Sequence, residues 1–244
     1  LKALRNLRLA KIGARPVPFM SVMTNEADLI RRMGVTVIPI SPAEVSRRAK
    51  EIMEKKTEDF LSYYNDLTGR MNTDAMREEL VEMAAATKLA LSELMRENDC
   101  SVGAFECWSA FPSLIGVCPC VALGEMADEG YPLACEADVN GAITLAILRA
   151  CSLYEKPPFL ADLTIRNPIH DNSELLWHCG PFPYSLKAKD SPAALVDGQE
   201  RFRMRPGHMT TCRFDDAEGS TICLPGKAIR RKGRRPTEPT SIWK

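Results

Sequence analysis

Residues 134–142 read ACEADVNGA and lie between a short apolar run at residues 131–135 and the helical pattern of residues 140–152. The apolar run is typical of a buried strand, so the sequence predicts that Glu136 lies at or near the C-terminal end of that strand. A strand followed at once by a helix is the repeating unit of an α/β sheet. In an open sheet of this kind, ligands bind in the crevice beyond the C-terminal strand ends, which makes Glu136 a candidate site residue.

The same alternation of strand and helix extends towards the N terminus. Apolar, β-branched runs predict strands, and amphipathic stretches predict helices. The predicted strands are residues 7–12, 35–40 and 101–105, and the predicted helices are residues 26–33, 41–65, 73–98 and 119–128. Because strands and helices alternate, we predict an α/β fold with a Rossmann-like, mostly parallel sheet, flanking helices and right-handed connections.

Pro157-Pro158 predicts a boundary between two domains. Residues 1–156 form the predicted Rossmann-like domain, and residues 157–244 form a smaller, partial, β-rich C-terminal domain. Within the second domain, residues 203–214 and 220–224 are typical of short β segments, and we expect the last ten residues of the chain to be disordered.

Two further apolar runs carry potential metal ligands. Residues 159–164, FLADLT, predict a buried strand with Asp162 near its C-terminal end, and His178 follows the apolar run at residues 175–177. Two carboxylates and one imidazole suit a divalent cation such as Mn²⁺, since oxygen ligands favour Mg²⁺ or Mn²⁺ and a nitrogen ligand favours transition metals. The sequence therefore offers Glu136, Asp162 and His178 as a candidate metal site.

Each of these three residues also has a purely structural interpretation. Glu136 is suited to capping the helix that starts near Asn140. Asp162 can pair with Arg166, and His178 can be a hydrogen-bonded core histidine. The spacing of the three residues does not by itself decide between a metal site and these roles.

The motifs around these residues are E-A-D-x-N-G-A from Glu136, F-x-A-D ending at Asp162, and W-H-C-G from Trp177. In this order they resemble the L-fucose isomerase and L-arabinose isomerase superfamily, in particular its fucose isomerase-like branch. The resemblance implies that Glu136 and Asp162 hold Mn²⁺. His178 falls where arabinose isomerases place one of their histidines, whereas fucose isomerases take theirs from much further along the chain.

The resemblance covers the family's Rossmann-like middle domain and the start of its β-rich C-terminal domain. The family's first domain and final segment have no counterpart in these 244 residues, and the sequence does not begin with Met. We therefore expect the chain to depend on other chain segments or subunits. The resemblance also implies a homo-oligomer in which a neighbouring subunit closes the pocket.

The reaction implied by the resemblance is aldose–ketose isomerisation, in which a proton moves between C1 and C2 of a sugar through an enediol. Glu136 and Asp162 fit the acid and the base of this transfer, since two carboxylates near one cation can differ in pKa. The alternative is a catalytically inactive homologue or a sugar-binding module that keeps the fold. Metal content and EDTA-sensitive melting distinguish the enzyme from these alternatives.

Trp108, Trp177 and Glu106 are the candidate substrate-binding residues. Either tryptophan can stack on the apolar face of a sugar, with a buried core position as the alternative. Glu106 directly follows a predicted strand and can approach the substrate, or it can serve as a surface or capping acid. His170 and His208 lie in turn-rich segments and are weaker candidates for ligands.

Charge and cysteine content limit the partners and the compartment. Lys and Arg together number 32, as do Asp and Glu together, so the net charge is zero. A zero net charge argues against nucleic acid as the main partner. We interpret the basic segment at residues 227–235 as a solvated tail or loop. No apolar run approaches the about 18 residues of a membrane span, and the first residues lack the apolar core of a signal peptide. Nine cysteines, mostly in apolar runs, indicate reduced thiols and a cytoplasmic protein, with Cys118-Pro119-Cys120 interpreted as structural.

Overall fold

The computed structural model describes residues 4–166, 168, 173–217 and 220–230. Its central sheet has four parallel strands: β1 (Arg8–Ile12), β2 (Thr36–Ile40), β3 (Val102–Phe105) and β4 (Leu133–Ala134). The strand order across the sheet is β2-β1-β3-β4. The parallel sheet and the helices around it confirm the predicted α/β fold.

The helices cover both faces of this sheet. Those of the described residues are α1 (Glu26–Met33), α2 (Pro42–Lys55), α3 (Glu58–Arg70), α4 (Glu78–Glu97), α5 (Phe111–Ile115), α6 (Cys120–Asp128) and α7 (Val139–Cys151). Successive strand residues point to opposite faces. Leu9 therefore packs in a core with α7, whereas Ala10 packs in the larger core formed with α2, α4 and α6. None of the described helices is long and apolar enough to cross a membrane.

The helix predicted over residues 41–65 is in fact two helices. α2 ends at Lys55, and Lys56 adopts a left-handed conformation with φ of 43°. Thr57 then caps α3, since its side-chain oxygen accepts a hydrogen bond from the Phe60 amide at 3.4 Å. The apolar period continues across this turn, which is why the sequence pattern joined the two helices.

The helix predicted over residues 73–98 begins later than expected. The Asn72 side chain accepts a hydrogen bond from the Asp74 amide at 3.1 Å, as in a turn. The Asn72 backbone also bonds to the backbones of Ala193 and Leu195, in the C-terminal part of the chain. Asn72 is therefore held in a turn and a tertiary contact, and α4 starts only at Glu78.

The segment after Pro157-Pro158 is rich in antiparallel strands, as predicted. Its strand pairs are β5 (Asp162–Arg166) with β6 (Glu174–Trp177), β7 (Ala194–Val196) with β8 (Gln199–Arg201), and β9 (Gly207–Ala217) with β10 (Ser220–Arg230). The loop interpretation of the basic segment is wrong for residues 227–230, which belong to β10. The rest of that segment, the last ten residues and His170 lie outside the described residues.

The strand predicted over residues 159–164 does not join the parallel sheet. β5 begins at Asp162, is exposed along its length and pairs antiparallel with β6, so that Asp162 lies opposite Trp177. The expectation of a buried strand with Asp162 near its C-terminal end is therefore wrong. A short apolar run does not specify its partner strand, and here the partner is β6 rather than a strand of the parallel sheet.

Candidate active site

Glu136 lies just beyond the C-terminal end of β4, as the sequence predicts. It belongs to a short 3-10 turn, Cys135–Ala137, and both Glu136 and Ala137 have left-handed φ values of 57° and 52°. For residues other than glycine, such a conformation costs about 1–3 kcal/mol each, and two in succession mark a strained turn. The Glu136 side chain is 13% exposed, so it is largely enclosed but still reached by solvent.

The next residue with a local structural role is Asp138, which caps α7. Its carboxylate accepts a hydrogen bond from the Gly141 amide at 2.8 Å and forms an ion pair with Arg213 of β9. The interpretation of Glu136 as the cap of this helix is therefore wrong. Glu136 is left free of that structural task and faces other potential ligands.

His178 directly follows β6 and lies beside Glu136. Its side chain is 3% exposed, and its Nε2 atom lies 3.8 Å from Glu136 Oε2, too far for a hydrogen bond. Within the described part of the chain, Nε2 has no hydrogen-bond partner. Burial opposes the charged ring, but Cys179 and Glu136 raise the pKa of His178 to about 10. A protonated ring therefore pairs with Glu136, whereas a neutral ring offers Nε2, together with the Glu136 carboxylate, to a divalent cation.

The other ring nitrogen of His178 is bonded to Cys179. The Cys179 amide donates to Nδ1 at 2.9 Å, and the Cys179 sulfur lies 3.3 Å from the same atom. The hydrogen bond from Cys120 and the adjacent His178 ring outweigh burial and lower the pKa of Cys179 to about 5. If Nε2 held a cation, the ring proton would lie on Nδ1; the hydrogen bond from the Cys179 amide would then be lost, and the Cys179 sulfur, 3.3 Å away, would be the acceptor for Nδ1.

Asp162 lies at the start of β5, in register with Trp177 and therefore next to His178 along the pair. The residue is exposed as a whole, but partial burial of its carboxyl group raises its pKa; His178 lowers the pKa, and Glu136 and Asp138 raise it. In the described structure, Glu136, Asp162 and His178 do not form a group whose ligand atoms all lie within 4.8 Å of one another. The structure thus brings Glu136 and His178 together and places Asp162 within electrostatic range of both.

The two tryptophans are at the surface of this edge. The Trp177 ring is 40% exposed and lies parallel to the His178 ring, with 6.4 Å between the ring centroids. Trp108 is 49% exposed and packs against Phe19, with ring centroids 5.8 Å apart. The alternative of a buried core position is wrong for both, and each ring presents apolar surface to solvent.

Glu106 connects two loops at the same edge of the sheet. Its carboxylate accepts hydrogen bonds from the Ala14 amide at 2.8 Å and from the Ser109 hydroxyl at 2.7 Å. Gly13, with φ of 85°, leaves the room that Glu106 occupies, because a Cβ there would lie 2.2 Å from the carboxylate. His208, a weaker candidate, lies on β9 with an exposed side chain.

Sequence reasoning missed the cysteines around Glu136. Cys107 Sγ lies 3.5 Å from Glu136 Oε1, and Cys107, Cys135 and Glu136 place their ligand atoms within 4.8 Å of one another. Cys120, interpreted as structural, has its sulfur 3.5 Å from that of Cys179. The available signal was position: Glu106-Cys107 and Cys135-Glu136 each place a cysteine beside an acid at a strand end.

Comparison with known proteins points to sugar isomerases. No known family profile matches the chain. It is 26% identical over 249 aligned positions to a sulfoquinovose isomerase of Priestia aryabhattai, covering 99% of this chain and 55% of the relative. It is 27% identical over 186 positions to the sulfoquinovose isomerase of Alkalicoccus urumqiensis, covering 76% of this chain and 41% of the relative. It is 26% identical over 239 positions to that of Clostridium sp. (strain MSTE9), covering 93% of this chain and 52% of the relative.

These relatives are all named as isomerases of one sugar, so the chain is similar to sugar isomerases along nearly its whole length. The chain spans about half the length of the curated relatives that it matches. The resemblance to the fucose isomerase-like branch is compatible with these matches and stays a prediction.

Proposed function

We propose that this chain carries the catalytic residues of an aldose–ketose isomerase that acts on a sulfonated sugar such as sulfoquinovose. One observation carries the proposal: in a chain aligned almost end to end with sulfoquinovose isomerases, Glu136 and His178 face each other at 3.8 Å beyond a parallel strand. Such strand ends are where open α/β sheets bind their ligands.

Glu136 and Asp162 are the proposed proton-transfer residues. Isomerisation requires a base that removes a proton from one sugar carbon and an acid that returns it to the neighbouring carbon. The Glu136 side chain is still reached by solvent. The pKa of Asp162 is raised, chiefly by burial of its carboxyl group, so this carboxyl can hold a proton at a higher pH than an ordinary aspartate.

Glu136 and His178, with Asp162 nearby, are the proposed ligands of a divalent cation, for which we propose Mn²⁺. The buried, unpartnered Nε2 atom of His178 supports this assignment within the described structure. When bound, the cation supplies Lewis-acid stabilisation of the negative charge that develops on the sugar oxygens, worth several kcal/mol. The Cys179 sulfur, 3.3 Å from Nδ1, is the partner that would keep the ring oriented with Nε2 towards Glu136.

Trp108, Trp177 and Glu106 are the proposed substrate contacts. The exposed rings of the two tryptophans offer faces on which the C–H groups of a sugar can stack. Glu106 holds the loops after β1 and β3 together, so its contribution is to fix the rim of the crevice as well as to accept hydrogen bonds from sugar hydroxyls.

We also propose a cytoplasmic setting and a homo-oligomeric assembly. The eight cysteines whose side chains the structure describes are free thiols, as expected in a reducing compartment. Val17, Met20 and Trp108 have exposed apolar side chains, and Trp108 packs against Phe19. Exposed apolar surface is typical of a contact with another chain segment or subunit, which would exclude water from the reaction.

A direct assay tests the proposal. The full-length protein, loaded with Mn²⁺, is incubated with sulfoquinovose and with a panel of unsulfonated aldoses, and ketose formation is followed by NMR. We expect turnover of the sulfonated sugar, a loss of more than about a hundredfold in Glu136→Gln, and full turnover in the surface control Glu51→Gln.

Two outcomes would contradict the proposal. A folded, Mn²⁺-loaded protein that forms no ketose from any of these sugars is not an isomerase of them, and a sugar-dependent rise in melting temperature without turnover would indicate a binding module instead. Retention of most turnover in Glu136→Gln would exclude Glu136 as the proton carrier.

A further inference from the structure

The cysteines beside Glu136 form part of a second potential ligand set. We define the thiol site as the side chains of Cys107, Cys135, Glu136 and His178. Cys107 follows β3, and Cys135 follows β4, so the two adjacent parallel strands deliver both thiols to the same edge of the sheet. The ligand atoms of Cys107, Cys135 and Glu136 lie within 4.8 Å of one another.

These separations are close to those of a bound metal ion. With metal–sulfur bonds of about 2.3 Å and metal–oxygen or metal–nitrogen bonds of about 2.0–2.2 Å, tetrahedral ligands lie about 3.3–3.8 Å apart. Cys107 Sγ and Glu136 Oε1 are already 3.5 Å apart, and His178 Nε2 and Glu136 Oε2 are 3.8 Å apart. His178 lies outside the group formed by the ligand atoms of Cys107, Cys135 and Glu136, so its ring must move towards the two thiols before it can complete a four-ligand site.

An independent observation at His178 points to a ligand at this position. Its side chain is almost completely buried, and its Nε2 atom, on the side of Glu136, has no hydrogen-bond partner among the described residues. Cys107 and Cys135 are buried as well, so solvent reaches the set mainly at Glu136. The thiol site is therefore enclosed and has an unsatisfied nitrogen.

The donor atoms determine which cation the set prefers. Two sulfurs, one nitrogen and one carboxylate oxygen are typical ligands of Zn²⁺, and thiolates bind soft cations far better than they bind Mn²⁺ or Mg²⁺. The affinity of nitrogen, oxygen and sulfur sites also rises from Mn²⁺ to Zn²⁺. Both thiols release their protons when the cation binds.

We infer that the thiol site binds Zn²⁺ or Cd²⁺ and competes with the catalytic cation for the same two side chains. Glu136 and His178 are shared between the thiol site and the proposed catalytic set, so the two kinds of cation exclude each other. Four protein ligands around a tetrahedral ion leave no open position for a sugar oxygen. Soft cations therefore inhibit the enzyme; this consequence rests on the proposed function, whereas binding at the thiol site does not.

Cadmium titration of the metal-free, full-length protein tests the binding itself. Thiolate-to-cadmium charge transfer absorbs in the ultraviolet, and we expect it to saturate at one equivalent. Cys107→Ser and Cys135→Ser are each expected to weaken binding at least tenfold and to reduce the absorbance. Cys100→Ser is the matched control, because Cys100 is also buried but lies outside the thiol site.

Two further measurements complete the test. X-ray absorption of the Zn²⁺-loaded wild type is expected to give two sulfur ligands at about 2.3 Å, a result that does not depend on any variant folding. Electron paramagnetic resonance is expected to show one equivalent of Zn²⁺ releasing bound Mn²⁺. The inference would be overturned if bound Zn²⁺ had no sulfur ligand. It would also be overturned if cadmium affinity were equal in the wild type, Cys107→Ser, Cys135→Ser and Cys100→Ser.

The outcomes separate this inference from the proposed function. If the protein binds cadmium through two thiols but has no isomerase activity, the thiol site is supported and the proposed function is contradicted. If the protein turns over the sugar, is not inhibited by Zn²⁺ and shows no thiolate-to-cadmium charge-transfer band, the thiol site is contradicted and the proposed function is supported.

Discussion

The sheet region (residues 4–156) and the strand-pair region (the described residues between 157 and 230) bury their apolar side chains differently. Among the side chains that the structure describes, almost all buried apolar ones belong to the sheet region. The described part of the strand-pair region contributes Ala188, Ala193, Leu195 and Phe214. Leu195 joins the core on the α4 side of the sheet, and Phe214 joins the core on the α7 side. The strand-pair region is therefore stabilised mainly by packing on the sheet region.

This difference matters because the candidate site lies where the two regions meet. Glu136 is fixed by the turn that follows β4, whereas His178 belongs to the segment after β6. The position of His178 depends on contacts between the regions, such as the 3.5 Å approach of the Cys120 and Cys179 sulfurs. Weaker docking would separate the proposed ligands while the parallel sheet stays folded.

The largest expected effect on stability is that of Phe214→Ala. Phe214 is buried against α7, and its amide donates to the Thr144 hydroxyl at 2.9 Å. Removing a buried phenylalanine costs about 3–5 kcal/mol of unfolding free energy. Urea denaturation should detect this loss, together with release of the strand-pair region.

Leu163→Ala is the matched control for this change, because Leu163 lies on β5 with a mostly exposed side chain. It should cost less than about 0.5 kcal/mol. Equal effects of the two substitutions would mean that β9 is not docked on α7 in solution.

A smaller effect is expected from Glu200→Gln, which should raise stability rather than lower it. Glu200 lies on β8 and is buried where β8 packs against α6. Within the described chain, both of its carboxylate oxygens lack a hydrogen-bond partner. Burial raises the pKa of Glu200 well above its usual range; Glu125 raises it further, and Arg70 lowers it. The folded state therefore holds a proton that the unfolded state releases above about pH 4.3.

It follows that stability falls as the pH rises from about 5 to 8, because only the unfolded state gains from ionisation of Glu200. Glu200→Gln removes this effect and should stabilise the protein by about 1–2 kcal/mol at pH 8, with a smaller gain at pH 5. Thermal melting at both pH values measures it. The surface substitution Glu51→Gln, as the control, should keep the pH dependence of the wild type. If Glu200→Gln were less stable than the wild type at pH 8, the Glu200 carboxylate would be needed in its charged form.

The smallest effect is a local one within the sheet region. Asp99 follows α4 in a left-handed conformation with φ of 51°, and its amide donates to the Arg96 carbonyl at 3.1 Å. Glycine adopts this conformation without strain, so Asp99→Gly should stabilise the protein by about 0.5–1 kcal/mol. Arg96→Gly, within the last turn of α4, should destabilise it by about 1 kcal/mol. A loss of stability in Asp99→Gly would mean that the side chain has a role of its own.

Much of the sheet region could be predicted because its signals are local. Apolar runs of four or five residues alternate with amphipathic helices, and the strand before Glu136 lies where the pattern predicts. The errors arose where tertiary contacts override the pattern. Lys56 turns the chain between two helices that share one apolar period. The helix predicted from residue 73 begins only at Glu78, after a turn at Asn72 whose backbone pairs with the strand-pair region.

The candidate site was only partly predictable for the same reason. Glu136 follows from its strand, but Asp162 lies on an exposed strand whose partner is set by the tertiary fold, not by its own apolar run. The thiol site combines residues from separate segments of the chain, and nothing in the local sequence of Cys107 indicates Cys135 as its neighbour. Only the order of the strands in the sheet brings them together.

Glu136 of the sheet region and His178 of the strand-pair region are proposed to hold one cation. Mn²⁺ affinity, measured by electron paramagnetic resonance on the full-length wild type, Glu136→Gln, His178→Ala and the double variant, tests this proposal most directly. The account predicts that each single substitution weakens Mn²⁺ binding at least tenfold and that the double variant is scarcely weaker than either one, because two ligands of one ion are strongly coupled. Losses that add independently, or Mn²⁺ binding that survives both substitutions in folded protein, would contradict it.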